Sequence, residues 1–299
     1  MATVATPTTG ETVEVEAVRR PPKKPWWKGK ILPTYVALVL IYLVVPIFVM
    51  ILYSFNVSHA RLPQVSFKWE GFTLQWYKQW NGIPGLVPAF KLTLELATLA
   101  AITSAIIGTL LALALVRHRF RGKGATEQVM FLNIAAPEIV VGAALLSFFV
   151  ILSTNVAVLH DLLHPGFFDL FLAHVAFCIA FVAITVRARL AGFDRSLEEA
   201  AGDLGANAWV TFQKVTLPII WPGVLAGALM AFALSIDDFV ISNFVAGNVQ
   251  TFPLLIYGIV HTGLPPQVFV LGTFIFIVGF GIALGSLLAS QRKNKKQQA

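Results

Sequence analysis

Six stretches of about 20 or more predominantly apolar residues divide this chain, each long enough to cross a bilayer's hydrocarbon core as a helix. They fall near residues 31–55, 92–116, 129–152, 167–186, 223–245 and 268–289. Inside lipid every backbone donor and acceptor must be satisfied within the segment, so runs of this length fold as helices. The composition agrees: 57% of the residues are hydrophobic and 12% charged, where soluble domains carry about 25% charged. The expected fold class is an all-α membrane protein with six transmembrane helices.

Little chain is left for anything else. The polar stretches are the first ~30 residues and segments near 56–91 and 187–218. None holds a GxxxxGK[ST] phosphate loop or a catalytic constellation. No catalytic residue, metal site or cofactor is therefore expected in this chain, and any energy source lies in another chain or an ion gradient. The lone cysteine, Cys178, excludes an internal disulfide framework and reads as a buried, inert thiol. His160 and His164 flank Asp161 at a spacing that suits a metal, but without a third ligand they read as an extracytoplasmic interface helix. Trp69, Trp76, Tyr77 and Trp80 read as an aromatic belt.

Residues 1–30 are expected to be a disordered tail ending in "RRPPKKPWWKGK", whose cations and indoles suit a membrane surface. A cleaved signal peptide is not expected, because the apolar run behind is too long and no A-x-A site follows. Residues 31–290 form one six-helix membrane domain containing a long loop, 187–222, and 291–299 form a basic tail. The basic residues also set orientation. Of the 22 Lys and Arg, all but Arg61, Lys68, Lys78 and Lys91 lie in the two tails and the 117–128 and 187–218 loops. Those segments and both termini are expected in the cytoplasm. The net charge of +7 is thus a matter of topology, and nucleic acid binding is not needed to explain it.

The loop 187–222, "RARLAGFDRSLEEAAGDLGANAWVTFQKVTLPIIWP", is longer than a turn requires. Ser196 followed by Glu199 fits a capping box, which predicts a helix start. Ala200, Ala201, Leu204, Ala208 and Phe212 recur near helical spacing as one apolar face. Gly205 permits a bend or a close backbone approach, and Leu217-Pro218 is expected to end the helix before the next span. A small apolar face of this kind suits either a partner protein or the membrane interface.

"EAAGDLG…VTLP" resembles the signature loop of ABC importer permeases: Glu-Ala-Ala, three residues, Gly, nine residues, Ile, one residue, Leu-Pro. Here the positions are Glu199, Ala200, Ala201, Gly205, Val215, Leu217 and Pro218, with Val215 in place of Ile as the one departure. "HRFRGKG", "APEIVVG", "LAHVAFCIAFVAITVRARL", "LSIDDFVISNFV" and "WEGFTLQWYKQW" are similar to the spermidine/putrescine branch of these permeases, over residues from about 31 to 290. The resemblance implies a type I importer permease fold in a bacterial inner membrane. It implies a loop acting as a coupling helix, with Glu199 in polar contact with an ATPase subunit. It further implies a second homologous permease subunit, two cytoplasmic ATPase subunits that hold ATP and Mg, and an extracytoplasmic substrate-binding protein.

"SIDDFVISNF" places two aspartates at bilayer depth, each costing about 2.5–3.5 kcal/mol to insert. On a continuous helix Ser235, Asp238 and Ser242 share a face, a polar stripe suited to a water-filled path. Asp237 lies about 100° away among Ala233, Ile241 and Phe244, and is protonated, caps a helix break, or faces a second subunit. Residues 215–291 contain no Lys or Arg, and no span holds one in its interior. That imbalance favours a cationic guest, and a polyamine suits it, with ammonium groups for carboxylates and methylenes for apolar or aromatic walls. Pro137 before Glu138 in the third span predicts a broken helix whose positive end meets the carboxylate. The bland reading of Glu138 is a kinked packing helix. Glu95 reaches the outer interface, and His174 reads as a hydrogen-bonded packing residue. Two rivals keep the transport reading. One is the same architecture carrying ferric ion, an aminophosphonate or a sulfur oxyanion. The other is an ion-driven carrier using Asp237, Asp238 and Glu138 as relays.

Overall fold

The computed structural model describes residues 28–57, 68–156, 163, 165–262, 265–277 and 279–281. Residues 1–27 of the expected N-terminal tail and the expected basic tail 291–299 lie outside the described residues, as do His160, Asp161 and His164. The chain divides into two units, Met1–Leu52 and Tyr53–Ala299. Helix α1 (Lys28–Tyr53) makes up the described part of the first. It is apolar on every face and carries Pro33 and Pro46 internally, as helices in lipid tolerate.

In the second unit the described elements are helical, with an isolated Asn56–Phe72 bridge. They run α2 (Gln75–Lys78), α3 (Leu86–Arg117), α4 (Lys123–Ala135), α5 (Glu138–Asn155), α6 (Phe167–Ala191) and α7 (Ser196–Asp203). There follow α8 (Ala208–Thr211), a π-helical turn (Phe212–Thr216), α9 (Leu217–Ile236), α10 (Val240–Val245), α11 (Phe252–Thr262) and α12 (Pro266–Gly281). Among the described residues five helical runs are long and apolar enough to span a membrane: α1, α3, α5, α6 and the continuous Ala208–Ile236 run. The last expected span is represented by α12, and its remainder lies outside the described residues.

The centre of this unit is α3, α6 and α9 packed on one another. Lipid tails offer no hydrophobic driving force between helices, so close approach must come from small residues. Val182 of α6 is wedged between glycines of both neighbours. A Cβ at Gly108 would stand 2.8 Å from its side chain, and one at Gly227 would stand 3.1 Å away. Ala97, Ala100, Ala101, Ala105 and Ala112 extend the small buried stripe along α3. Cys178 is fully buried beside it, its Sγ 3.5 Å from the Ala231 carbonyl oxygen.

Two spans are not single continuous helices, the third as expected from Pro137 and the fifth with bounds that differ from those expected. The third is split at Ala136–Pro137 into α4 and α5, since Pro137 has no N–H to continue the ladder. The fifth begins earlier, at Ala208, and stops at Ile236. Leu217-Pro218 does not end a helix: Pro218 sits in the first turn of α9, and the π turn before it carries the chain through with a Leu217 N–H to Phe212 bond. The Ser196–Glu199 capping box is likewise not formed. The α7 N-terminus is satisfied by Asp194, whose Oδ1 accepts from the Ser196 N–H at 3.0 Å.

Candidate functional site

The helix of the fifth span breaks over Asp237–Phe239, and the break sends the two carboxylates to different places. Asp238 turns inward and caps α10. Its Oδ1 accepts from the Ile241 N–H at 3.2 Å, and its Oδ2 from the Ser242 N–H and hydroxyl, each at 2.8 Å. His174, in the N-terminal third of α6, completes the cluster. Its Nδ1 lies 2.7 Å from Ser235 Oγ, and its Nε2 lies 3.1 Å from Ser242 Oγ and 3.4 Å from Asp238 Oδ2. Ser235, Ser242 and His174 are at most 2% exposed and Asp238 8%. Backbone donors, a hydroxyl and an imidazole therefore compensate Asp238 within its own chain. Ser235, Asp238 and Ser242 do come together, but as a sealed hydrogen-bonded knot and not as a stripe along one helix.

Asp237 lies on the other side of the break, at the C-terminus of α9, and is exposed. It lines a cavity of about 860 Å³ between α3, α9, α11 and α12. Its walls are aromatic and aliphatic, with Phe90, Phe232, Phe239, Phe252, Tyr257 and Phe274 among them. Asp237 is the one charged side chain in the lining. Tyr257 packs at a tilt against Phe239 with ring centroids 4.2 Å apart, and Phe90 meets Phe252 edge-on at 5.6 Å. Thr93 fixes the rim by accepting from the Phe252 N–H at 2.8 Å. A lone carboxylate among π faces attracts cations from two directions at once. The neighbours expected for Asp237 on an unbroken helix are replaced by these residues.

Glu138 is the first residue of α5 and is exposed at the Pro137 break, where the helix's positive end meets it. It does not line the Asp237 cavity. Asn133 Nδ2 donates to the Ala176 carbonyl at 2.8 Å and ties α4 to α6 before the break. Glu95 pairs with Lys91 at 3.7 Å on an exposed face. Trp76 and Tyr77 are anchored inward by hydrogen bonds to Asn56 and Ser54, while Trp69 and Trp80 stay exposed.

The loop carrying "EAAGDLG" forms α7 and a C-cap. Gly205 adopts φ +85°, its N–H bonds the Gly202 carbonyl at 2.8 Å, and the Ala206 N–H bonds Ala201 at 3.0 Å, which together make a Schellman motif. Gly205 is thus required for its left-handed conformation. No atom lies within 4 Å of a Cβ built there, so a close approach within the chain is not its role. Glu199 and Ala200 are exposed, Ala201 is half-buried, and Leu204 is 89% exposed. Leu217 and Pro218 sit at the start of α9. The carboxylate that reaches inward is Glu198, which holds Arg117 at the end of α3 and accepts from the buried Thr216 hydroxyl. Arg117 also stands over the Phe193 ring, 5.6 Å from its centroid. Hydrogen bonds from Ser196 hold the Asp194 carboxyl below the usual carboxylate range.

The sequence profile of the family "Binding-protein-dependent transport system inner membrane component" matches residues 104–296. The chain belongs to this family. It is 36% identical over 255 residues to the spermidine/putrescine transport system permease protein PotC of Escherichia coli K12, covering 85% of this chain and 91% of that one. It is 38% identical over 245 residues to the putrescine transport system permease protein PotI of the same strain, covering 80% and 84%. Among solved structures, that of a bacterial ABC transporter involved in import of the acidic polysaccharide alginate matches with TM-score 0.65 at 16% identity, covering 90% of this chain and 99% of that one. The fold is that of a type I ABC importer permease, in a multi-pass inner-membrane protein. Sequence reasoning missed three members of these clusters: His174 as the partner of Asp238, and Glu198 and Arg117 as the loop's tether. The signal available for the last pair was the Arg at a span end facing a Glu one position before the motif.

Proposed function

We propose that this permease carries polyamines such as spermidine and putrescine through an ATP-driven importer, forming half of the path beside a second, homologous permease subunit. The observation that carries the cargo is Asp237: a single carboxylate at a helix break, in an aromatic cavity, in a stretch of chain without Lys or Arg. An ammonium group meets the carboxylate and the ring faces, while methylenes lie along the apolar wall. The names of the PotC and PotI relatives point the same way. Glu138, at the break in the third span, is a second carboxylate for the path. Asp238, with Ser235 and Ser242, holds the Asp237 break in shape.

The termini and the loop 187–222 face the cytoplasm. There two ATPase subunits bind ATP and Mg and hydrolyse it, and an extracytoplasmic binding protein delivers the substrate. Glu199, Ala200 and Gly205, with the half-buried Ala201, offer the docking surface. Leu217 and Pro218 begin the rod behind it. From Ala208 to Ile236 the chain is one helical run, about 43 Å long at 1.5 Å per residue, ending at Asp237. Glu198 ties the docking helix to that run through Thr216 and to α3 through Arg117. Motion imposed on the docking loop therefore reaches the walls of the cavity through rigid elements.

The test is uptake by the reconstituted complex with its ATPases and binding protein. Labelled spermidine or putrescine should accumulate only with ATP, and labelled sulfate should not. Uptake that persists without the ATPases, or a preference for sulfate, contradicts the reading.

A further inference from the structure

A second cavity, of about 440 Å³, opens where the ends of α3 and α6 meet the short loops that follow them. Arg117, Arg119, Lys123 and Arg195 all line it, and His118 joins them, while no Asp or Glu does. Arg117 is engaged by Glu198 and Phe193. Among the described residues Arg119, Lys123 and Arg195 have no carboxylate within ion-pair distance. Three unpaired cations on one concave wall repel one another and concentrate anions. The floor is apolar: Val116 and Leu190 belong to the last turns of two membrane-spanning helices. The cavity therefore sits at the boundary between hydrocarbon and headgroups.

We infer that this cavity is a binding site for the phosphate headgroup of an anionic phospholipid. Planar guanidinium forks match phosphate oxygens in pairs. Basic pockets between transmembrane helices suit such headgroups, with the acyl chains running back along the apolar helix ends. Free phosphate shares the charge but leaves the apolar floor unused. The site touches the docking loop directly, since Arg195 immediately precedes α7 and Arg117 holds Glu198. A bound headgroup competes with Glu198 for Arg117, so lipid composition sets how firmly α7 is held to α3. The inference rests on the membrane-spanning family assignment and not on the polyamine reading.

The full chain, purified in detergent, is titrated with phosphatidylglycerol, phosphatidylcholine or inorganic phosphate, and bound lipid is counted by native mass spectrometry. Wild type should bind phosphatidylglycerol at least about tenfold more tightly than Arg119→Gln/Lys123→Gln/Arg195→Gln, a difference of about 1.4 kcal/mol. Phosphatidylcholine should bind weakly and equally to both. The charge-preserving Arg119→Lys/Arg195→Lys variant should keep the preference for phosphatidylglycerol. The single variant Arg119→Glu, at an exposed position, is read by the same criterion, so a folding failure of the triple variant leaves the test standing. Equal phosphatidylglycerol binding by wild type and the glutamine variant overturns the inference. So does displacement by inorganic phosphate at equal concentration, or loss of the lipid whenever the ATPase partners are bound, which would assign the pocket to a protein surface.

Discussion

Asp238 has two backbone donors, a hydroxyl and an imidazole around it, whereas Asp237 next door faces an open aromatic cavity. Burial and partners compensate the first within its own chain and leave the second facing the cavity. The difference is measurable at His174. In His174→Ala, Asp238 and the two serines lose their shared partner in a sealed site. That should cost about 3 kcal/mol, the upper end for stranding buried polar groups. Thermal unfolding of the purified protein checks it, and an unchanged midpoint would show the knot to be unimportant. The sequence shows that Ser235, Asp238 and Ser242 belong together, because their spacing is helical. It does not show which way they face, because the break at Asp237 rotates everything after it, and the partner His174 lies on a different span.

At the scale of elements, the packing of α3, α6 and α9 depends on the Val182 wedge between Gly108 and Gly227. Gly108→Ala should destabilise by about 1–3 kcal/mol, since its Cβ would overlap a branched side chain that has nowhere to move. Adding Val182→Ala should recover most of that loss, a coupling that the double-mutant comparison reads directly. Additive losses would place the clash elsewhere. The second and fourth spans were legible as helices, because apolar length alone dictates a helix in lipid, but the structure extends them to Leu86 and Ala191. Pro137 made the break in the third legible as well. The fifth span was not, because its start is chain of ordinary polarity drawn into the helix by the π turn, and its end is set by Asp238 capping α10. In the EAA loop the motif residues were legible and the tether was not. Glu198 and Glu199 are equivalent in local sequence, and only the position of Arg117 and Thr216 distinguishes the one that reaches inward.

Across the whole molecule, membrane spans, family and permease role follow from the hydrophobic pattern and the EAA loop, and the comparisons agree with them. One helical run, Ala208–Ile236, joins the end of the EAA loop to the Asp237 carboxylate. The measurement that bears most directly on this account is ATP-driven spermidine uptake by the reconstituted complex carrying Asp237→Asn. Removing one charged partner from a partly desolvated site should lower uptake about tenfold or more. The unfolding midpoint and assembly with the ATPases should stay at wild-type values. Wild-type uptake by the Asp237→Asn complex would contradict the assignment of Asp237 as the group that meets the cation.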